Sequence, residues 1–271
     1  MRAQNLPAAA GWGWIRDGFA IFRRNPPVLG MLVVTYWITV VMLNVLPVIG
    51  TLVASLAIPG LAVGLMQASR NLERGEPVGL HTLYGGLRQN PRTLVGLGAL
   101  YLCCTLAARG ASALVDGGEL LDAMLTASPA ERENIDSSEL LLPILVVTLL
   151  MLPVVMAWWF APVLAAWHGL GVGKALFFSF FACSLNWRPF LVYGIGLLVV
   201  AGVLPGIILG LLLILLPGAQ AFITALVTVP MMLIVAPAVF ASFYASYRDI
   251  FTGADAGDSD AGDSADGADA G

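Results

Sequence analysis

The chain has 271 residues, 59% of them hydrophobic and only 11% charged, with a mean hydropathy of +0.87. A soluble domain carries about 25% charged residues to solvate its surface, so this composition excludes a water-soluble globule. The formal net charge of −4 misleads about partners, because acids and bases are segregated along the chain.

Residues 1–10 read as a short flexible lead. Over 11–24, Trp12, Ile15, Phe19 and Phe22 recur at helical spacing, while Arg16, Asp17, Arg23 and Arg24 fall largely elsewhere on the wheel, which predicts an amphipathic helix. Asn25 and Pro26 end it. No charge lies between Arg24 and Arg70, and a crossing needs about 20 apolar residues. That stretch therefore holds two spans, roughly 27–46 and 51–70, turning at Pro47 to Gly50. It starts too late and runs too long for a cleavable signal peptide.

Segment 70–92 carries Arg70, Arg74, Arg88 and Arg92, and a second amphipathic stripe at Leu80, Leu83, Tyr84 and Leu87. A third span covers 93–115. The polar loop 116–139 sets seven acids against Arg132. The fourth span, 140–167, contains Pro143, Pro153 and Pro162. Residues 171–188 form a third, more apolar interfacial piece with Lys174 and Arg188. Spans five and six, 190–215 and 219–247, part at Pro217-Gly218. The tail, rich in Ala, Gly and Ser with six aspartates, cannot bury a core and is expected to be disordered. The division is a lead and helix at 1–26, a membrane domain at 27–250 and an acidic tail at 251–271.

Lys and Arg near span ends set orientation. With both termini in the cytoplasm, only Arg109 and Arg132 of the thirteen basic residues fall outside. Arg109 lies near the outer boundary of its span, where it can snorkel.

The junctions Arg23-Arg24-Asn25-Pro26, Arg88-Gln89-Asn90-Pro91 and Asn186-Trp187-Arg188-Pro189 resemble one another. In each, an asparagine can cap an apolar helix whose first turn tolerates proline. The sequence thus reads as three units, 11–72, 77–168 and 171–250: an all-α transmembrane bundle of three hairpins, each preceded by an amphipathic interfacial helix. Arg16, Arg23, Arg24, Arg88, Arg92, Lys174 and Arg188 are the expected contacts to anionic headgroups on the cytoplasmic side. Gly60 with Gly64, and Gly206 with Gly210, are the expected close-packing pairs. Trp158, Trp159 and Trp167 read as interface anchors.

Phosphate-loop, zinc-helix and nucleophile-elbow motifs are absent from the sequence. No catalytic residue, metal site or cofactor is expected, and no nucleic-acid partner. Cys103, Cys104 and Cys183 read as packing residues, and His81 and His168 as interface residues. The spans lack the ionisable groups that ion-coupled carriers use.

The stretch from Gly50 to Glu76, with Pro59-Gly60-Leu61-Ala62 and Arg70-Asn71-Leu72-Glu73-Arg74-Gly75-Glu76, resembles a family of proteobacterial six-span inner-membrane proteins. That family is distantly similar to the membrane domain preceding some glycerophosphodiester phosphodiesterases. The resemblance covers 11–250 and implies a six-span bacterial membrane protein. The phosphodiesterase catalytic domain is absent, so no enzyme activity carries over. Two functions remain open: a non-enzymatic module engaging anionic lipid or a membrane-protein partner, and an uncoupled transporter or lipid-translocating protein.

A phosphatase reporter fused after Gly117 or after Pro217 is expected to be active outside the cytoplasm, and one fused after Arg248 inactive. Cytoplasmic exposure at both outer positions overturns the orientation.

Overall fold

The computed structural model describes residues 3–46, 49–116 and 137–251; among them all regular structure is helical. Pro47, most of the acidic loop with Arg132, the tail from residue 252 and the Arg109 side chain lie outside the described residues. Helix α1 is Ala10–Phe22, α2 Pro26–Asn44 and α3 Ile49–Arg74. The short α4, Leu80–Gly85, tightens into a 3₁₀ turn at Gly86–Arg88. Then follow α5 Pro91–Asp116, α6 Ser137–Trp159, α7 Ala161–His168 and α8 Val172–Leu185. The last four are α9 Trp187–Leu197, α10 Leu204–Leu215, α11 Gln220–Pro230 and α12 Ala236–Phe251.

Six apolar segments are long enough to cross a bilayer: Pro26–Asn44, Ile49–Arg74, Pro91–Ala108, Ile144–His168, Trp187–Leu215 and Gln220–Phe251. The protein is an all-α polytopic bundle. Half of the most apolar window of α3 is buried within the chain, and none of that in the fifth span, although Pro189, Tyr193 and Gly196 near its start are buried. Helix α3 is therefore the central post, and the fifth span faces outward beyond Gly196.

Proline shapes four of the crossings, because its ring displaces the carbonyl four residues earlier and it donates no hydrogen bond. Pro205 and Pro237 each follow a π-helical stretch, Leu198–Val203 and Met231–Val235, where the backbone pairing slips to accommodate the ring. In α3, Pro59 frees the Ser55 carbonyl, and Gly98 of α5 packs so close to it that a methyl group there would overlap it. In the fourth span the helix breaks at Phe160. The buried Ser179 hydroxyl of α8 enters the break, accepting from the Phe160 N–H at 2.9 Å and donating to the Met156 carbonyl at 2.9 Å. A backbone pair that would otherwise be left open in hydrocarbon is thus closed through a neighbouring side chain.

Helix α8 is pinned at this break by its middle. Val172 abuts Gly96 near the start of α5, and Asn186 just past its end ties to the N-terminal lead. Both ends of α8 thus sit where α5 and α9 begin. At about 1.5 Å per residue the helix runs across the bundle end rather than through it.

The lead is held, contrary to the expectation of flexibility. Gln4 N–H donates to the Ile250 carbonyl at 2.9 Å, Leu6 N–H to Asn186 Oδ1 at 2.9 Å, and Asn186 Nδ2 to the Gln4 carbonyl at 2.8 Å. The three junction asparagines also divide their work. Asn25 caps its own helix through Val28 N–H at 3.4 Å, but Asn90 donates to the Ala165 carbonyl at 3.0 Å, and Asn186 straps the lead. Only the first acts as the expected cap.

The second amphipathic piece is shorter than its stripe suggests. It folds back along α3, burying Leu83 and half-burying Leu87, while Leu80 and Tyr84 stay exposed. Gly60 and Gly64 make this close approach possible. A methyl on Gly64 would overlap the Leu83 backbone, and one on Gly60 would meet Leu87 Cδ2 at 2.7 Å. The expected close packing at Gly206 and Gly210 is not seen: among the described residues neither has a neighbour within 4 Å of where a Cβ would stand. Helix α10 meets α11 and the Met231–Val235 stretch through Pro205, Ile208 and Leu212, not through the glycines.

Gly64→Ala is expected to destabilise the fold by about 1–3 kcal/mol through overpacking, read as a lowered unfolding midpoint in detergent. Gly210→Ala should leave the midpoint within about 0.5 kcal/mol of wild type. Equal effects would refute the packing assignment.

Candidate functional site

The buried core lies toward one end of the bundle, in α1, the first halves of α2 and α5, the second half of α3, α4, α7, α8, the start of α9 and α12. At that end Arg248 of α12 gathers three carboxylates from three helices. Its guanidinium pairs with Asp17 of α1 at 2.7 Å, with Glu73 of α3, and with Asp249 beside it at 2.8 Å. Tyr244 donates to Glu73 at 2.6 Å, and the Trp14 indole donates to Asp249 at 3.2 Å. Arg24 donates to the Glu73 carbonyl at 2.6 Å, filling an unpaired acceptor at the α3 C-terminus, where the helix dipole favours a cation. Arg70 lies over the Trp167 ring at 4.8 Å, and His168 meets the Tyr247 hydroxyl at 2.6 Å.

These contacts, with Asn90 on the Ala165 carbonyl and Asn186 on the lead, bring together the ends of α3, α7 and α12 and the starts of α2, α5 and α9. The expected headgroup residues therefore share one end of the protein, and they divide into two kinds. Arg24 is engaged by backbone carbonyls, and Arg16, although exposed, stands 3.8 Å from Asp17. Arg23, Arg88, Arg92, Lys174 and Arg188 are exposed, and no carboxylate lies within ion-pair distance of them among the described residues. They sit at four separate junctions around the rim.

Trp158 and Trp159 do not anchor at an interface. They flank the Phe160 break and turn into the bundle: Trp158 donates to the Leu97 carbonyl at 3.0 Å, and Trp159 sits against Phe190, Tyr193 and Phe243. Beside them is an apolar recess of about 320 Å³, walled by Pro59, Pro162, Tyr101, Phe240 and Phe243. The rings give it shape, and its only side-chain polar groups are the Ser55 and Tyr101 hydroxyls and the two indoles. Such a lining suits an apolar chain far better than a charged solute. Burial pushes the Cys183 thiol up to about 12, against a weaker opposing contribution from Ser179, which keeps it an inert packing group.

No protein-family model matches the chain, and no solved structure matches it. A curated protein of Burkholderia thailandensis, named as a probable inner membrane protein, is 36% identical over 258 residues, spanning 93% of this chain and 94% of that one. The chain belongs to that protein's family. It is a multi-pass inner-membrane protein, and the relative's alignment runs through both the rim and the recess.

The Arg248 cluster was missed in the sequence because its members are far apart in the chain. A signal was present nonetheless. Outside the polar loop and the tail the chain has only four acids, Asp17, Glu73, Glu76 and Asp249. Acids retained on an otherwise basic rim are candidates for internal pairing, and three of these four meet on Arg248.

Arg248→Gln leaves three part-buried carboxylates facing one another. It is expected to cost at least about 2 kcal/mol, in the range of lost charged hydrogen bonds, and to loosen α1. Limited trypsin digestion should then cut at Arg16 and Arg23 several-fold faster than in wild type; an unchanged rate would show that α1 is held without the cluster.

Proposed function

We propose that this protein is a non-enzymatic inner-membrane module that gathers anionic phospholipid at its basic end, with that end and both termini facing the cytoplasm. The observation that carries the reading is the rim itself. Five exposed cations, with no ion-pair partner among the described residues, stand at four junctions, while Arg24, Arg70 and Arg248 are engaged in internal contacts. Each cation near an anionic leaflet contributes about 1 kcal/mol, so five supply about 5 kcal/mol before ordering costs. The positive-inside rule supports the orientation. A membrane-protein partner bearing acidic segments would use the same rim.

A second reading rests on a different observation, the apolar recess beside the broken fourth span. It suits an uncoupled lipid translocator, in which an acyl chain passes through the proline-kinked half of the bundle.

The test is native mass spectrometry of the protein from mild detergent, beside phospholipid flux in proteoliposomes. Retained lipid should be enriched in anionic phospholipid over the host membrane, and a variant carrying R23Q, R88Q, R92Q, K174Q and R188Q should lose at least ten-fold of that enrichment. Retained lipid that mirrors the bulk composition would refute the module. Flux abolished by Ala62→Phe would establish the translocator in its place.

A further inference from the structure

The N-terminal strap and the start of α9 enclose a cleft of about 620 Å³, separate from the aromatic recess. We propose that this cleft seats one anionic phospholipid, with its phosphate on Arg188 and an acyl chain along the outer face of span five. The inference rests on the lipid-engaging reading above and names one site for it.

The walls divide by chemistry. Asn5 and Arg188 supply polar groups, and Leu6, Leu185 and Trp187 the apolar ones. The Arg188 guanidinium stands 5.4 Å from the centre of the Trp187 ring, which restrains a long side chain before any ligand arrives. No acid lines the cleft, and among the described residues no carboxylate pairs with Arg188. A headgroup bringing an ammonium would find no counter-charge here, whereas one bearing only phosphate and hydroxyls would leave nothing unpaired.

The wall is also fixed in place. Asn186 is fully buried and holds the strap on both sides of Asn5, accepting from Leu6 N–H and donating to the Gln4 carbonyl. A preformed cleft binds without paying to order its own backbone.

An apolar path leads away from it into the membrane. Trp187, Leu191, Ile195 and Leu198 are 56%, 55%, 54% and 63% exposed, and their spacing puts them on one face of the helix. That face begins at the cleft and continues down span five, opposite the side on which Pro189, Tyr193 and Gly196 are buried. At about 1.5 Å per residue the face from Trp187 to Leu198 runs roughly 16 Å, a length that an acyl chain can follow from a head at Arg188. Basic pockets at the cytoplasmic ends of spans are the setting in which anionic headgroups are recognised.

The experiment titrates the delipidated full-length protein with phosphatidylglycerol and with phosphatidylethanolamine, counting bound lipid by native mass spectrometry. Wild type is expected to hold one phosphatidylglycerol at least ten-fold more tightly than phosphatidylethanolamine. Arg188→Gln, which removes the charge, and Ala8→Trp, which fills the cleft, should each weaken that one site at least ten-fold, while Arg74→Gln, at an exposed arginine outside the rim set that stands 4.0 Å from Glu76, should leave it unchanged. If wild type prefers the anionic lipid and both cleft variants keep that preference, the cleft assignment fails and the broader reading survives. If wild type shows no preference, both fail. Competition by water-soluble glycerol phosphate at equal concentration would overturn the lipid assignment, since the apolar face would then contribute nothing.

Discussion

Arg248 sits where the first and last described helices meet the central one, and its grip on Asp17, Glu73 and Asp249 ties those three helices together. A guanidinium offers several donors in a fixed plane, so each carboxylate takes its own direction and each helix its own angle. From that knot the other fastenings follow. Arg24 reaches the end of α3 because α1 is held beside α12, and the lead reaches Ile250 because α12 stops there. The charges are about one-quarter to one-third exposed, so water screens them in part. The cluster works by convergence more than by the strength of any single pair.

Away from that end the physics changes. The outer parts of the spans leave large apolar side chains such as Ile214, Leu215 and Phe222 uncovered, which in water would drive association but in a bilayer meets lipid. What the membrane does not forgive is an open backbone group. Three of the helix interruptions accordingly have a local remedy: a π-helical slip before Pro205 and before Pro237, and the Ser179 hydroxyl at Phe160. The last two remedies differ in reach. A slip stays within its own helix, whereas Ser179 makes the shape of the fourth span depend on the position of α8.

The spans were legible in the sequence because hydrocarbon imposes one requirement, absence of charge, over a fixed length. Uncharged runs flanked by arginine meet it without reference to any distant residue. The rim cations were legible for the same reason, as the markers of span ends. Packing was legible only where a partner happened to be near in sequence. Gly60 and Gly64 are met by α4, the next helix along, whereas Gly206 and Gly210 carry the same spacing and meet nothing. A small-residue pair states that a helix can be approached; whether it is depends on how the intervening turns are bent. The triplet of asparagine–proline junctions shows the same limit. Similar residues stand at similar places, yet Asn25, Asn90 and Asn186 bind different partners, because each junction faces a different neighbour.

The strap has a temporal side. Gln4 waits for its acceptor on Ile250 through the synthesis of all six spans, and Asp17 waits for Arg248 across 231 positions. At roughly 5–20 residues per second, that interval is on the order of ten to fifty seconds. Through it, α1 must linger at the surface of the bilayer with Trp14 and Phe22 still without the neighbours that finally enclose them. Maturation of the protein is therefore not a procession from first hairpin to last. It closes like a drawstring, and insertion of the sixth span is the event that pulls the opening shut.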